Sequence, residues 1–232
     1  MSRPYFLVVM KKIMFSDRFG LTDLVLQKKK TKTRRIIKQS EINKVMESII
    51  KPFMMTEEYL CNPEYNIQDL MLTALGNIHY NVGEVIAIAQ SYSNLDKVLE
   101  DRKWQRTDTL FDAYYKARQM GRICDTDAGW NNKMFVRADI MPHRIIITDI
   151  RIQRLQDISF EDCIDEGIRC CKSDSDFKYK FDDFVNNVEC WYRSPKDAYR
   201  ALIDKINGKG TWNSNPYVFT YSFEIYNKFK EK

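Results

Sequence analysis

Apolar and polar positions change period repeatedly along this chain, and each change marks an element. Residues 5–10 and 12–15 are short and rich in β-formers, so one or both read as strand. After Ser16 or Asp17, either able to cap a helix, Phe19, Leu21, Leu24, Val25 and Lys28 fall on one helical face. Residues 33–37 read as the next strand. Residues 40–50 predict a helix opened by a Ser–Glu cap, with Ile42, Val45, Met46, Ile49 and Ile50 on one side and Pro52 ending it. Residues 66–75 are helical up to Gly76, and residues 82–89 form an apolar strand entered through Gly83. Two helical patches follow, 94–103 and 109–120, closed by Gly121.

From Gly129 the pattern changes. Residues 133–138 read as strand, Met141-Pro142 breaks it, and residues 144–155 alternate over a long strand. Its even positions from Ile146 to Arg154 point one way and its odd positions from Ile145 to Gln153 the other. Ser159 caps a short helix within 158–167, with Asp162 as an acidic, box-like partner. Residues 172–187 are polar and aromatic with no clean period. Ser194-Pro195 opens a helix over 196–206, residues 207–210 turn, and residues 217–226 alternate as a final strand. This order predicts an α+β protein, a small antiparallel barrel decorated with helices, forming a single domain over 1–232.

Composition narrows the class. With 232 residues, 44% hydrophobic and 13% aromatic, the chain is globular rather than disordered. No apolar run approaches the roughly 20 residues of a membrane helix. The start is too short and lacks a small-residue cleavage site for a signal peptide. A soluble, cytoplasmic protein with no membrane association is expected. Six cysteines without a Cys-x-x-Cys pair and two distant histidines, His79 and His143, offer no metal site, so reduced, mostly buried thiols are expected and no cofactor is called for.

The net charge of +5 permits a nucleic-acid or phosphate partner without requiring one. The local charge is more pointed: seven of the eleven residues 28–38 are basic and none is acidic. A solvated hinge between helix and strand is the plain reading of such a run. Within it, Lys32, Arg34 and Arg35 can hold phosphate oxygens, arginine by bidentate bonds. Trp130 and Trp212 are candidates to stack an unpaired base, and Arg151 on the long strand is a further ligand candidate. The plainer readings are packing for the tryptophans, Trp212 above all, an ion pair for Arg151 and a loop position for His143.

Four segments, in order, carry a resemblance: Lys12-Ile13-Met14-Phe15 with Lys30-Thr31-Lys32-Thr33-Arg34-Arg35; Gly83-Glu84-Val85-Ile86; residues 145–167, ending Asp165-Glu166-Gly167; and Ile206-Asn207-Gly208-Lys209-Gly210-Thr211-Trp212 with the strand after it. Together they resemble the ASCH family of PUA-like barrel domains, in its larger phage- and prophage-encoded branch, over about half the chain. Two departures stand out. Lys28 occupies the place of a usual glycine, and residues 40–81 and 92–132 look like helical insertions relative to compact members. The resemblance implies a cleft beside the Lys-Thr-x-Thr strand that binds RNA or a modified nucleoside. One compact branch is an amidohydrolase on acetylated cytidine, and its working residues match Lys30, Thr33 and Glu166 here.

On their own chemistry these three are compatible with acyl transfer from an amide. A threonine hydroxyl needs a base, and neighbouring cations or burial lower a lysine's pKa. Strict alternation, however, places Lys30 opposite Thr33, so the pair meets only at a bend. The plain readings are a strand threonine and a carboxylate at a helix C-terminus. The leading expectation is therefore recognition of RNA or a modified nucleoside in a basic cleft. Hydrolysis of an N-acylated nucleoside, with Thr33 as nucleophile, Lys30 as base and Glu166 orienting, is the alternative. A non-catalytic interaction protein anchored by Tyr114, Tyr115 and Met120 is the third, and packing is the plain reading of those residues.

Overall fold

The computed structural model describes residues 10–56, 66–75, 79–101, 109–172 and 177–226. The strand expected at 5–10 and the stop at Gly76 fall outside them, apart from Met10. The chain gathers into two compact units, each discontinuous in sequence: Met1–Phe15, Val85–Ile146 and Ile225–Lys232 form one, Ser16–Glu84 and Ile147–Glu224 the other.

In the first unit, β1 (Lys12–Ile13) lies parallel to β3 (Val85–Ile88), with Ile13 opposite Ile88. β3 in turn pairs antiparallel with the start of β4 (Arg144–Arg154), Val85 opposite Ile146. The helices Tyr92–Asp101 and Thr109–Gln119 bring Tyr92, Leu95, Phe111 and Tyr114 into one apolar cluster with Ala87 and Ile123. Tyr114 is fully buried there, so it is a packing residue and not an interface anchor, whereas Tyr115 and Met120 are exposed. A Cβ on Gly129 would lie 2.6 Å from the Tyr92 ring, which is why this close approach takes glycine.

Residues 133–138 are not the expected strand but two 3-10 turns, Lys133–Phe135 and Ala138–Ile140. The Asn132 side chain accepts from the Met134 amide, and the Lys12 ammonium donates to the Met134 and Val136 carbonyls at 2.5 and 2.8 Å. Backbone groups that a ladder would use are thereby taken.

In the second unit, β4 continues beside β8 (Tyr217–Ile225), and β8 pairs antiparallel with β2 (Lys32–Ile36), Thr33 opposite Tyr221 and Arg34 opposite Thr220. Burial along β4 changes phase, from Ile145 and Ile147 to Ile150 and Ile152, so neither face predicted from alternation stays inside throughout. Pro52 does not end its helix. Gln39–Val45 runs on through a π turn at Met46–Ile50 into Lys51–Met54. Proline lacks the amide and crowds the carbonyl four residues back, and a widened turn just before it relieves both.

Residues 172–187, read as aperiodic, contain the central strand of an antiparallel sheet, β6 (Phe177–Asp183), which pairs with β5 (Arg169–Lys172) on one side and β7 (Val188–Tyr192) on the other. Its inner side packs Tyr179 and Phe181, the latter edge-on to Phe19 at 5.8 Å. The helix Pro195–Asn207, capped by Ser194, turns Ala198, Tyr199, Leu202 and Ile203 inward.

The protein is thus α+β. Among the described residues the strands form open sheets, and no pairing closes them into the expected barrel. Among the same residues no helix is long and apolar enough to cross a membrane.

Candidate functional site

The helix Leu21–Leu26 ends in a turn made by Lys28, whose φ of 60° lies in the left-handed region. The Lys28 amide donates to Val25 O and the Lys29 amide to Leu24 O. Lys28 therefore occupies the conformation that glycine most readily adopts after a helix, at some steric cost. The chain then enters β2, anchored where the Thr31 amide donates to the Asp165 carbonyl at 2.9 Å.

Asp165 ends the helix Phe160–Asp165, whose cap is the Ser159 hydroxyl accepting from the Asp162 amide. Gly167 follows at φ 104°, and a Cβ there would press on Leu24 at 3.1 Å and approach Lys30 Cδ at 3.6 Å. Glycine is what lets the helix end, and Glu166 with it, close over Lys30.

Lys30 is 2% exposed. Its ammonium donates to the Lys32 carbonyl at 2.7 Å, the Glu166 carbonyl at 2.7 Å and Glu166 Oε2 at 2.6 Å. Arg34, also buried, donates to Glu166 Oε1 at 3.1 Å and to Asp162 Oδ2. With the Gln153 amide oxygen turned toward it, the guanidinium gains two further acceptor contacts, at 3.1 and 2.7 Å. Lys32 completes the knot, reaching Asp162 at 2.6 Å and Asp165 at 3.0 Å. Three cations thus face three carboxylates, as burial of charge demands.

Burial lowers the Lys30 pKa, Arg34 and Arg35 add to this, and Glu166 opposes them. The three acceptors nonetheless suit an ammonium, because a neutral amine has only two protons to give. Burial works against the Asp162 charge, but the Lys32 and Arg34 donors prevail and hold its carboxyl below the usual range.

The structure brings Lys30, Glu166, Lys32 and Arg34 together and leaves Thr33 out. Among the described residues no hydrogen bond ties the Thr33 hydroxyl to Lys30 or Glu166. Thr33 and Arg35 occupy the other side of β2, as strict alternation requires. There Thr33 is buried opposite Tyr221, and half-buried Arg35 lies close enough to Tyr80 and Tyr221 to work against the rise in their pKa values. Tyr80 meets Tyr221 edge-on at 5.2 Å.

The other candidates are not members of the knot. Arg151 is 73% exposed and pairs with Asp149 at 2.7 Å. Trp130 belongs to the first unit, under the Arg118 guanidinium at 4.6 Å. Trp212 packs edge-on to Tyr199 at 6.3 Å.

Asp162 is the functional residue that the sequence reading undervalued: the cap is made by Ser159, and the Asp162 carboxylate goes to the basic strand. Asp162 and Glu166, four apart on one helix face, were the available signal. Tyr199 was missed outright. It is 2% exposed, its hydroxyl has no partner among the described residues, and burial, with Glu166 adding to it, raises its pKa well above the usual value. Burial likewise pushes the Cys163 thiol up to about 12, which makes it an inert packing group. Among the described residues no cluster of histidines, cysteines and carboxylates is placed to hold a metal ion.

A second buried carboxylate, Asp183, takes Arg18 in a bidentate pair at 2.9 and 2.8 Å, with Lys205 and Asn186 nearby. These donors, Arg18 first, hold it well below the usual carboxylate range. Asp162 and Asp183 thus both have folded pKa values below the unfolded value of about 3.9. Their contribution is whole above that value and is lost as pH falls below it. The urea midpoint is expected to drop between about pH 5 and pH 2, and to drop less in Asp183→Asn; equal drops would contradict the assignment.

Compared with family models, curated proteins and solved structures, the chain matches none of them.

Proposed function

We propose that this is an ASCH-type, PUA-like protein that recognises RNA or a modified nucleoside, using the knot as a frame rather than as the contact surface. The observation that carries this reading is the Lys30–Glu166 contact at 2.6 Å. The resemblance paired these two positions across 136 residues, and they meet in a buried ion pair. The left-handed Lys28, standing where the family has glycine, supports the same frame.

Lys30, Lys32 and Arg34 are neutralised by their acids. Recognition is assigned to the partly exposed Arg35 on the other side of β2, with Tyr80 beside it, and to the exposed Lys28 and Lys29. An arginine beside aromatic rings can hold a phosphate by its edge or a base by its plane.

The amidohydrolase reading has one observation in its favour, the lowered Lys30 pKa next to Glu166. It needs the Thr33 hydroxyl within hydrogen-bond reach of Lys30, and Thr33 leaves β2 on the side opposite Arg34, with which Lys30 shares Glu166. No turnover is expected over a panel of N-acylated nucleosides. Turnover in the wild type that disappears in Thr33→Val would replace the binding reading with the hydrolytic one.

The direct test is anisotropy of a labelled single-stranded RNA, and calorimetry with free nucleosides, on wild type and Arg35→Ala. RNA affinity is expected to fall steeply with salt, and Arg35→Ala to weaken it several-fold with a slope smaller by about 0.7. Absence of binding to RNA and to every nucleoside at low salt would sink the proposal.

A further inference from the structure

The register of the second sheet puts Cys171 opposite Lys178, and Lys180 opposite Trp191, so Lys178, Lys180 and Trp191 share the outward side. Trp191 is 46% exposed, an unusual position for a tryptophan. It is also held in place. Its indole nitrogen donates to Glu189 Oε2 at 3.2 Å, and the Lys180 ammonium sits 4.6 Å from the ring centroid. An aromatic ring already fixed on a strand loses little side-chain freedom when something stacks on it.

Charge on this side is sorted. Lys180 pairs with Glu189 and Arg169 with Asp182, so those cations are spent within the sheet. Beside them lies a cavity of about 560 Å³ lined by Cys171, Lys172, Lys178, Trp191, Tyr192 and Arg193. Its described lining holds three cations and no carboxylate, and none of the three is paired with a described residue. A fixed, exposed aromatic ring next to cations that no described residue pairs suits single-stranded nucleic acid, a base on the ring and phosphates on the charges. The size falls within the range of small-ligand sites, enough for one nucleotide.

We propose that Trp191 is a stacking platform for one unpaired base of single-stranded RNA, with Lys172, Lys178 and Arg193 holding the adjacent phosphates. This deepens the RNA reading above and rests on it. Single strands are favoured over duplex because a base inside a duplex cannot present its face to the ring.

The test uses the full chain and a fluorescein-labelled dodecauridine, with a blunt RNA duplex beside it. Trp191→Ala is expected to bind the single strand about ten-fold more weakly, and Trp191→Phe to recover most of the loss. The triple variant Lys172→Ala/Lys178→Ala/Arg193→Ala is expected to lower the salt slope by about 2. The wild type is expected to prefer the single strand. Circular dichroism identifies any variant that has lost its fold, and Trp191→Phe keeps the question answerable if Trp191→Ala has. Wild-type binding that all three variants share equally would overturn the platform and leave RNA recognition standing. A wild type that binds neither RNA at low salt would overturn both.

Discussion

Glu166→Ala is expected to destabilise the protein by about 3–5 kcal/mol, read as a fall in the urea midpoint by circular dichroism. The carboxylate is 6% exposed and serves two buried cations at once, Lys30 through Oε2 and Arg34 through Oε1. Removing it strands both charges where water does not reach. Arg34 keeps Asp162, and Lys30 keeps two carbonyls, but neither cation keeps the anion that both shared.

Glu166→Gln retains the shape and one acceptor oxygen, so its loss should be real but smaller. The more informative comparison is Lys30→Met with Glu166→Leu. Each single change leaves a buried charge without its partner, whereas the pair removes both charges together. The double variant should be less destabilised than the sum of the two singles, with a coupling of about 1–3 kcal/mol. A Glu166→Ala protein within about 0.5 kcal/mol of wild type would mean that the knot is solvated, and the frame assigned to it would fall.

The knot also shows where sequence reasoning reaches its limit. Four carboxylates within Ser159–Gly167, of which Asp162, Asp165 and Glu166 join the knot, and three cations between Lys30 and Arg34 are visible as complementary patterns. Nothing local says that this strand side, rather than the other, meets this helix. The resemblance supplied the Lys30–Glu166 pairing. Alternation alone already set Thr33 on the other side, and the structure keeps it there.

The helices Thr109–Gln119 and Pro195–Asn207 and the strand Arg144–Arg154 lie close to where periodicity and caps put them, because their signals are local. β6 was missed although Phe177, Tyr179 and Phe181 alternate with lysines. The pattern breaks at Asp182-Asp183, where a buried aspartate is tolerated only because Arg18, far off in sequence, reaches it. Residues 133–138 failed for the converse reason: their composition suits a strand, but a distant lysine takes their carbonyls. In each case the deciding partner is more than a hundred residues away.

Tyr114→Ala is expected to destabilise the first unit by about 3–5 kcal/mol, the range for deleting a large buried ring. Tyr114 is 0% exposed, packs in the cluster with Tyr92 and Leu95, and has its hydroxyl 2.7 Å from Asp96 Oδ1 and 3.0 Å from the Tyr92 carbonyl. Burial, with Asp96 adding to it, pushes the phenol far above its usual pKa, so it remains a neutral donor throughout the working range. Tyr114→Phe isolates the hydroxyl. It leaves the ring in place but deprives the Asp96 carboxylate of a donor, which costs about 1–2 kcal/mol, softened because Arg118 also reaches Asp96 at 3.3 Å. Tyr115→Ala, one residue on and 37% exposed, should change the midpoint by no more than about 0.5 kcal/mol. The contrast separates a helix that packs its own unit from one that offers both tyrosines to a partner. Equal, small effects for Tyr114→Ala and Tyr115→Ala would restore the interface reading for this helix. A large loss for Tyr114→Ala alone, with hydrogen exchange rising across Val85–Ile146, assigns the residue to the core.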